Sequence, residues 1–501
     1  MLLNLPNLGN HNHCMKEFFT RYKKEAALAG GLLLCLLCFF INPFGLAAKA
    51  NLVLALAVLM ISWWVLDAMP LPVVALLPLV LYPLLSVNSI KDTARSYSDS
   101  IIYLFMGGFF LGMAIEKWNL HKRIALRIIR FTGTNGNNIV LGFIISTGFI
   151  SMWLSNTATT MMMYPIGASV IHVISKHAGP HANIKNFSLT LMMALAYASN
   201  FGGIATIIGT PPNVAYVSHL NAHYKHGIDF ISWMLLCMPL AILLLFMLYL
   251  VMVKWLYPNN LSHSAEGRQY IDAELKAMGK LSRQEKRVLI VFCSTAFLWI
   301  TKDIINAAQK LFQLDDSIIA ILGAISLFIV PSGRNKEEPE ERLLEWDDTR
   351  NMAWGILLLF GGGIAMAKSL EEAKLIESLG QYIAGFATDN LLLLIFIVTL
   401  LSVFLSEVMS NIAQVIVMAP VISAVADALH INPLLLGIPM TLGASCASML
   451  PMGTPPNAIV FSSGHIKLKQ MLKTGFVMNI ICIILITLFS WLLLPLIVPH
   501  F

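Results

Sequence analysis

The sequence predicts an all-α polytopic membrane protein with about 11 transmembrane helices and two re-entrant hairpins. Hydrophobic residues make up 57% of its 501 positions and charged residues only 12%, and the mean hydropathy is +0.75. A soluble protein of this length could not enclose so much apolar surface. The apolar runs have helix length, roughly 17 to 25 residues, and lack the alternation of barrel strands, so helical spans are expected.

The N-terminal residues 1–25 are predicted to form a cytoplasmic tail. Four basic residues precede the first apolar run: Lys16, Arg21, Lys23 and Lys24. Because positive residues are retained on the cytoplasmic side and no small-residue cleavage site follows, we expect an uncleaved first span and a cytoplasmic N-terminus. The same retention accounts for the formal net charge of +6, which therefore requires no nucleic-acid partner.

The next stretch, 26–100, is predicted to hold N-terminal scaffold helices. Three spans are expected there, at 26–42, 51–67 and 70–86. A further apolar run opens near Ile101 and passes into residues 116–130, where basic and apolar side chains are interleaved. That pattern predicts an amphipathic helix along the cytoplasmic interface, with a solvated loop as the alternative.

Four small polar clusters interrupt the apolar sequence that follows. We call Ser155-Asn156-Thr157 and Ser410-Asn411 the first and second tip clusters, and Gly209-Thr210-Pro211-Pro212-Asn213 and Gly453-Thr454-Pro455-Pro456-Asn457 the first and second break clusters. Three surrounding stretches contain no Lys, Arg, Asp or Glu, namely 131–175, 186–224 and 428–464. The clusters are therefore expected at membrane depth, where polar groups and helix breakers are costly unless something uses them.

The tip clusters predict hairpins and the break clusters predict interrupted helices. In a break cluster Gly can end one half-helix, Thr can cap the next, and Pro fits the first turn, where an N–H would have no partner anyway. A proline kink that serves packing alone is the alternative. The predicted hairpins are 138–175 and 391–425, and the predicted broken helices are 187–223 and 433–464. They belong to a first repeat, 101–253, and a second repeat, 351–501.

The segments between the two repeats are predicted to be a cytoplasmic linker, 254–287, and connecting helices with a charged loop, 288–350. Further spans are expected at 288–302, 316–331 and 475–498. With each tip cluster on a hairpin, the count of crossings places the C-terminus outside. An odd number of crossings separates the repeats, which inverts the second relative to the first.

Inverted repeats with paired broken helices are typical of secondary transporters, whose substrate site forms where these helices meet. Free carbonyls at a break attract cations, and free N–H groups that open the next half-helix attract an anion. Ser and Asn side chains can donate to a carboxylate or coordinate Na⁺. Because the clusters hold no Lys or Arg, anion binding is expected to depend on neutral donors and co-bound cations. Glu407 has two interpretations, a proton or cation relay and a paired structural group.

The four clusters together make residues 50–498 similar to the divalent anion/sodium symporter family, the carboxylate transporters often called INDY. The resemblance implies a homodimer in which each protomer has a scaffold domain and an elevator-type transport domain. It implies two sodium sites, formed by Ser151, Ser155, Asn156 and Gly209 and by Ser406, Asn411 and Gly453. It also implies substrate contacts from Ser155, Asn156, Thr157, Thr210, Pro211, Ser410, Asn411, Ile412, Thr454 and Pro455.

The function implied by the resemblance is sodium-coupled symport of dicarboxylates such as succinate, malate or fumarate across the cell membrane. Na⁺ is the coupling ion, and neither an organic cofactor nor an enzymatic activity is implied. One residue departs from the family's pattern, because Ile412 stands where a Thr is often found. A hydrogen bond to a charged group, worth about 1.5 to 3 kcal/mol, is missing there. Tricarboxylates and oxoglutarate therefore remain open as substrates.

The main alternative within transporters is a sodium-independent dicarboxylate exchanger. Importing a dianion against a potential of about 100 mV costs roughly 4.6 kcal/mol, which exchange avoids. A transporter of sulfate or another oxyanion is a further alternative. A channel would require a continuous polar stripe, and a membrane enzyme would require a nucleophile, a base or a metal cluster; the sequence offers a clear pattern for neither.

Overall fold

The computed structural model describes residues 9–133, 135–177, 183–224, 228–259, 261, 265–333, 341–375 and 390–497. Parts of the predicted N-terminal tail, first repeat, linker, charged loop and second repeat lie outside these residues. Within them the chain is helical, and an isolated bridge between Pro331 and Arg342 is the β pairing observed. Nine helices of the described part are long and apolar enough to cross a membrane. The prediction of an all-α polytopic membrane protein is confirmed.

Seven helices precede the helix that leads into the first tip cluster. They are α1 (Gly9–Ile41), α2 (Ala48–Val65), α3 (Leu71–Val74), α4 (Leu77–Leu84), α5 (Ile90–Arg95), α6 (Ser100–Lys117) and α7 (Leu120–Thr132). The span predicted at 70–86 is thus divided in two. At the division the Tyr97 hydroxyl donates to the Ala75 carbonyl, which has no helical partner there. A proline-rich sequence explains the division, because Pro supplies no N–H to continue the helix.

The basic stretch after α6 forms the predicted helix, α7, but one of its faces is buried in the protein. Asn119, with φ of 55°, separates α7 from α6. Arg123 is only 3% exposed and donates through Nε and Nη2 to the Glu285 carboxylate, at 2.6 and 3.0 Å. Lys122 also pairs with Glu274, at 2.8 Å. Ion pairs therefore connect α7 to residues of the predicted linker.

The next helices are separated at the first tip and break clusters. They are α8 (Gly136–Ser151), α9 (Asn156–His177), α10 (Ile184–Gly203), α11 (Pro211–His223) and α12 (Phe230–Tyr249). The chain leaves helical geometry between α8 and α9 and again between α10 and α11. Asn156 and Pro211 begin the helices that follow these two interruptions.

The linker and connecting region contains α13 (Ala265–Ala277), α14 (Arg283–Ala308) and α15 (Asp316–Ile329). α14 begins before the span predicted at 288–302, because Ser282 and Glu285 form a capping box at its first turn. Lys302, near the other end of α14, contacts the carboxylates of Asp229 and Asp316 at 2.9 and 2.8 Å. These two aspartates stand at the starts of α12 and α15, so the lysine joins three helix ends.

The C-terminal helices repeat the pattern of interruptions. They are α16 (Trp354–Glu372), α17 (Leu391–Leu405), α18 (Asn411–Ala428), α19 (Leu434–Ala444), α20 (Pro455–Phe461), α21 (Leu468–Leu492) and α22 (Leu494–Ile497). The second tip cluster separates α17 from α18, and the stretch that ends in the second break cluster separates α19 from α20.

The centre of the molecule is built from the first halves of the two broken helices. Every residue of α10 from Phe187 to Gly203 is buried, as is every residue of α19. A Cβ on Gly202 would overlap the backbone of Gly148, so glycine allows α10 to lie directly against α8. α10 and α9 also pack against α20, whereas α11 packs against α16 and α18. The two halves of the chain therefore interleave, which brings the four interruptions together.

Candidate functional site

A cavity of about 1020 Å³ lies where the four interruptions meet. The ten residues that the sequence associates with substrate all line it: Ser155, Asn156, Thr157, Thr210, Pro211, Ser410, Asn411, Ile412, Thr454 and Pro455. Among the seven expected sodium ligands, Ser155, Asn156, Asn411 and Gly453 line the cavity. Ser151, Gly209 and Ser406 are buried and do not line it.

The first tip cluster is held by hydrogen bonds within its own interruption. The Ser155 hydroxyl accepts from the Ala158 N–H at 3.3 Å and so caps the start of α9. The Ser151 hydroxyl donates to Asn156 Oδ1 at 2.9 Å. A Cβ on Gly203 would also overlap Asn156 Oδ1, so a glycine is required where α10 ends against this amide. The sequence-predicted ligands Ser151 and Asn156 are thus direct neighbours.

The first break cluster is organised by its last residue, Asn213. Its Nδ2 donates to the carbonyls of Gly203 and Thr206, at 3.1 and 2.8 Å. These carbonyls belong to the end of α10 and to the non-helical segment, and the Asn213 amide gives them a partner. Thr210 has extended geometry (φ −147°) and stands as the N-cap of α11, with Pro in the first turn.

The second break cluster has the same hydrogen-bond pattern. Asn457 Nδ2 donates to the carbonyls of Ala447 and Leu450, at 3.2 and 3.1 Å. The two acceptors lie ten and seven residues before the amide, the same spacing as from Asn213 to its acceptors. The sequence motif already contained these asparagines, but no role could be assigned to them before the carbonyls they contact were known.

Glu407 is a buried structural carboxylate. Its Oε1 accepts from the Ser448 and Met449 N–H groups at 2.8 and 2.9 Å, and its Oε2 accepts from the Leu450 N–H at 3.0 Å. The Asn479 amide of α21 donates to Oε1 at 2.7 Å. Four donors satisfy this carboxylate, which supports the second of its two interpretations, a paired structural group.

The oxygen atoms around both tips have the chemistry that a hard monovalent cation requires. Asn411 Oδ1 is buried and has no hydrogen-bond partner, and the hydroxyl of Ser406, five residues earlier in the chain, donates to the Val403 carbonyl. An unpartnered buried amide oxygen is a suitable ligand for Na⁺. In the part of the chain that the structure describes, no group of three His, Cys, Asp or Glu side chains offers a transition-metal site.

Asn200 is an uncharged polar residue that lines the cavity and was not predicted from the sequence. Asn200, in α10, is 1% exposed, and its Oδ1 lies 3.4 Å from Asn156 Nδ2. Its own Nδ2 donates to Thr454 Oγ1 at 3.2 Å. The sequence signal that could have identified Asn200 is its amide side chain within the uncharged, largely apolar stretch 186–224.

Charged and apolar residues complete the cavity wall. Lys117 Nζ contacts Asp348 Oδ2 at 2.6 Å, and Asp67, just after α2, also lines the cavity. Lys117 ends the apolar helix α6, and Asp67 follows the apolar helix α2. Val408 and Met452 are 70% and 79% exposed and line the cavity beside the second tip and break clusters. These two residues add apolar surface to the wall from the second half of the chain.

Comparison with known proteins identifies relatives over nearly the whole chain. Residues 24–498 match the family described as the sodium:sulfate symporter transmembrane region. The sodium-dependent dicarboxylate transporter SdcS of Staphylococcus saprophyticus is 37% identical, with 98% of this chain and 97% of that protein covered. SdcS of Staphylococcus aureus is 36% identical, with 96% and 94% covered.

Solved structures share the fold at low sequence identity. The YdaH transporter of Alcanivorax borkumensis has a TM-score of 0.56 and 13% identity, with 79% of this chain and 86% of that chain covered. MtrF of Neisseria gonorrhoeae has a TM-score of 0.52 and 11% identity, with 80% and 83% covered. The four clusters resemble those of the divalent anion/sodium symporters, and the family match covers residues 24–498. Together with the relatives above 30% identity, this match shows that the chain belongs to the sodium:sulfate symporter family.

Proposed function

We propose that this protein is a sodium-coupled symporter of dicarboxylates such as succinate, malate or fumarate. The observation that carries the proposal is the single cavity lined by the hydroxyls and amides of both tip clusters and both break clusters. None of these clusters contains Lys or Arg, so a bound dianion depends on neutral donors and on co-transported cations for its charge balance. The names of the SdcS relatives support sodium and dicarboxylates as the transported species.

The substrate carboxylates are bound by donors from both halves of the chain. Asn156, Thr157 and Thr210 serve one side, and Ser410, Asn411 and Thr454 serve the other. Ser155 and the prolines Pro211 and Pro455 shape the walls, and Ile412 adds an apolar surface. Hydroxyl and amide donors hold a carboxylate without the strong pairing that a lysine or arginine would add, which suits a site that must release its substrate.

Two sodium ions bind beside the substrate as co-transported ions. The first is held by Ser151, Ser155, Asn156 and Gly209, and the second by Ser406, Asn411 and Gly453. The distance of 2.9 Å between Ser151 Oγ and Asn156 Oδ1 supports the first set, and the unpartnered Asn411 Oδ1 supports the second. Two sodium ions only balance a dianion, so concentrative import driven by the membrane potential requires a third.

The transport cycle is proposed to be an elevator movement in a homodimer. The repeats 101–253 and 351–501 are inverted partners, and the helices of 26–100 belong to the scaffold. The matching asparagine contacts of the two break clusters support this relation. The protein lies in the cell membrane with its N-terminus in the cytoplasm and its C-terminus outside.

Uptake of labelled succinate into proteoliposomes tests the proposal. Purified protein is reconstituted, and uptake is compared under an inward Na⁺ gradient and under an equal choline gradient. Concentrative uptake only with Na⁺ is expected. Absence of uptake in both conditions, with flux restored by internal malate, would overturn symport in favour of exchange.

A second candidate substrate class follows from the family description, which refers to sulfate. Competition distinguishes it, because an excess of unlabelled sulfate should leave succinate uptake unchanged if the cavity selects carboxylates. Citrate and oxoglutarate in the same assay test whether the apolar wall at Ile412 accepts larger carboxylates. Inhibition by sulfate alone would identify an oxyanion transporter.

A further inference from the structure

A buried hydrogen-bond path crosses from the first tip cluster to the second break cluster. Asn156 Nδ2 donates to Asn200 Oδ1 at 3.4 Å, and Asn200 Nδ2 donates to Thr454 Oγ1 at 3.2 Å. Asn200 is 1% exposed and lines the cavity between its two partners. The path therefore connects an expected sodium ligand of one half of the chain with an expected substrate ligand of the other half.

The direction of each hydrogen bond on this path follows from the first amide. Asn156 Oδ1 faces the Ser151 hydroxyl and the sodium ligands, so its NH₂ group must face Asn200. Asn200 accepts with its oxygen, which turns its own NH₂ group toward Thr454. The orientation of the Asn156 amide thus determines that of the Asn200 amide.

The orientation of Asn200 decides where the Thr454 hydroxyl proton points. A hydroxyl oxygen has two acceptor positions and one proton. Thr454 Oγ1 accepts from Asn200 Nδ2 and from the Asn457 N–H at 3.4 Å, so both acceptor positions are used. The proton is left to donate elsewhere, and Thr454 lines the cavity. Thr454 is thereby prepared as a donor to a carboxylate.

We propose that Asn200 is a positioning residue that couples sodium at the first site to carboxylate binding at Thr454. The inference rests on the proposed sodium-coupled transport of dicarboxylates. A cation on Asn156 Oδ1 holds that amide in the orientation described. Without the cation the Asn156 amide is free to turn over. Asn200 then follows it and presents its oxygen to Thr454, which donates to Asn200 instead of to the substrate.

The path has no counterpart in the other half of the chain. Aligning the break clusters through Gly209 and Gly453 makes Ala444 the equivalent of Asn200, and alanine offers no side-chain hydrogen bond. The coupling is therefore specific to the first sodium site. The second site acts on the substrate through Asn411, which itself lines the cavity.

The variant Asn200→Ala, measured by binding of labelled succinate to purified protein, tests this coupling. Sodium is varied against choline at constant ionic strength. In the unmodified protein, succinate affinity is expected to rise with sodium. In Asn200→Ala the affinity at saturating sodium should fall on the order of tenfold, which corresponds to about 1.4 kcal/mol, and its dependence on sodium should become shallower.

Tyr197→Phe is the matched control. Tyr197 lies one turn earlier on the same helix, is fully buried, and donates across the halves to the Ser448 carbonyl at 2.7 Å. The Tyr197→Phe substitution removes a comparable buried hydrogen bond and leaves the hydrogen bonds of Asn156, Asn200 and Thr454 in place. Its succinate affinity and sodium dependence should match those of the unmodified protein, even if its melting temperature falls.

A second pair of variants separates positioning from a structural effect. Thr454→Val removes the hydroxyl, and adding Asn200→Ala to it should weaken succinate binding no further, because both changes act through the same proton. If Asn200→Ala does not yield monodisperse protein, Asn200→Ser replaces it, since a serine is too short to contact both partners.

The outcomes distinguish the coupling from the proposed function itself. Sodium-dependent binding that is unchanged in Asn200→Ala overturns the coupling and leaves the proposed function standing. An equal loss in Tyr197→Phe also overturns it, because the loss would then follow from any buried contact between the halves. If the unmodified protein binds succinate without any dependence on sodium, both the proposed function and the coupling fail.

Discussion

Asparagine side chains have three different environments at the four interruptions. Asn156 and Asn411 lie at the tips and line the cavity. Asn213 and Asn457 turn away from it and donate to backbone carbonyls. Asn200 lies between the halves and contacts a side chain from each. The same side chain therefore serves as an expected ligand, as a replacement for a missing helical partner, and as a bridge.

These environments predict that substitutions of different asparagines have different effects. Asn156→Ala and Asn411→Ala should abolish sodium-dependent succinate uptake while the protein still folds, because both side chains line the cavity and neither satisfies a helix-end carbonyl. Asn213→Ala is the comparison: it leaves buried carbonyls unpaired at a cost of about 1 to 3 kcal/mol each, so the melting temperature should fall. Uptake in proteoliposomes and thermal melting measure the two effects. Normal flux in both tip variants would exclude the assigned site.

The interrupted segments are stabilised by different means in the two halves. In the first, the Thr206 hydroxyl donates to the Met152 carbonyl at 2.5 Å. In the second, the Glu407 carboxylate accepts from three consecutive N–H groups and from Asn479. The two oxygens of the Glu407 side chain thus hold the second segment in place. This arrangement favours a structural role for Glu407 over a proton relay.

The stability of the second interruption should therefore depend on Glu407. Glu407→Ala leaves four donors without an acceptor, and Glu407→Gln retains one acceptor oxygen, so we expect a large and an intermediate fall in melting temperature. Circular dichroism of the purified variants measures both. A Glu407→Gln protein with unchanged stability but altered pH dependence of uptake would instead indicate a proton relay.

The contacts of helix α7 also depend on residues that are distant in the sequence. Its composition predicts a helix at the membrane interface, and the helix is present. Its most buried cation, Arg123, nevertheless contacts Glu285 at the start of α14 and the Gly279 carbonyl in the linker. A buried arginine requires a carboxylate and further acceptors, and these come from residues far away in the sequence.

At the scale of the whole molecule, the cavity is lined by charged residues at or just beyond the last residues of α2 and α6. Asp67, Lys117 and Asp348 line it, and the basic helix α7 follows directly after α6. Basic residues are retained on the cytoplasmic side, so the cavity is expected to open toward the cytoplasm. Glu372, at the far end of α16, lies in a separate cleft with His223.

Single cysteines should report this orientation. In a variant whose native cysteines are replaced by Ser, Met452→Cys should react with a membrane-impermeant maleimide in inside-out vesicles, and succinate with Na⁺ should slow the reaction. Glu372→Cys is the control, because its exposed side chain should react in right-side-out vesicles. Reaction of Met452→Cys from the outside alone would reverse the expected orientation.

The sequence by itself determined the membrane class, the positions of the interruptions and the family resemblance. Helix ends depend on caps, Gly and Pro within one turn, so Ser155, Thr210 and Thr454 could be recognised locally. The ten expected substrate residues came from the family resemblance of the four clusters, and all line one cavity. The roles of Glu407, Arg123 and Asn200 were decided only by the tertiary structure. A buried polar group must find partners among whichever helices pack beside it, and local sequence does not specify those neighbours.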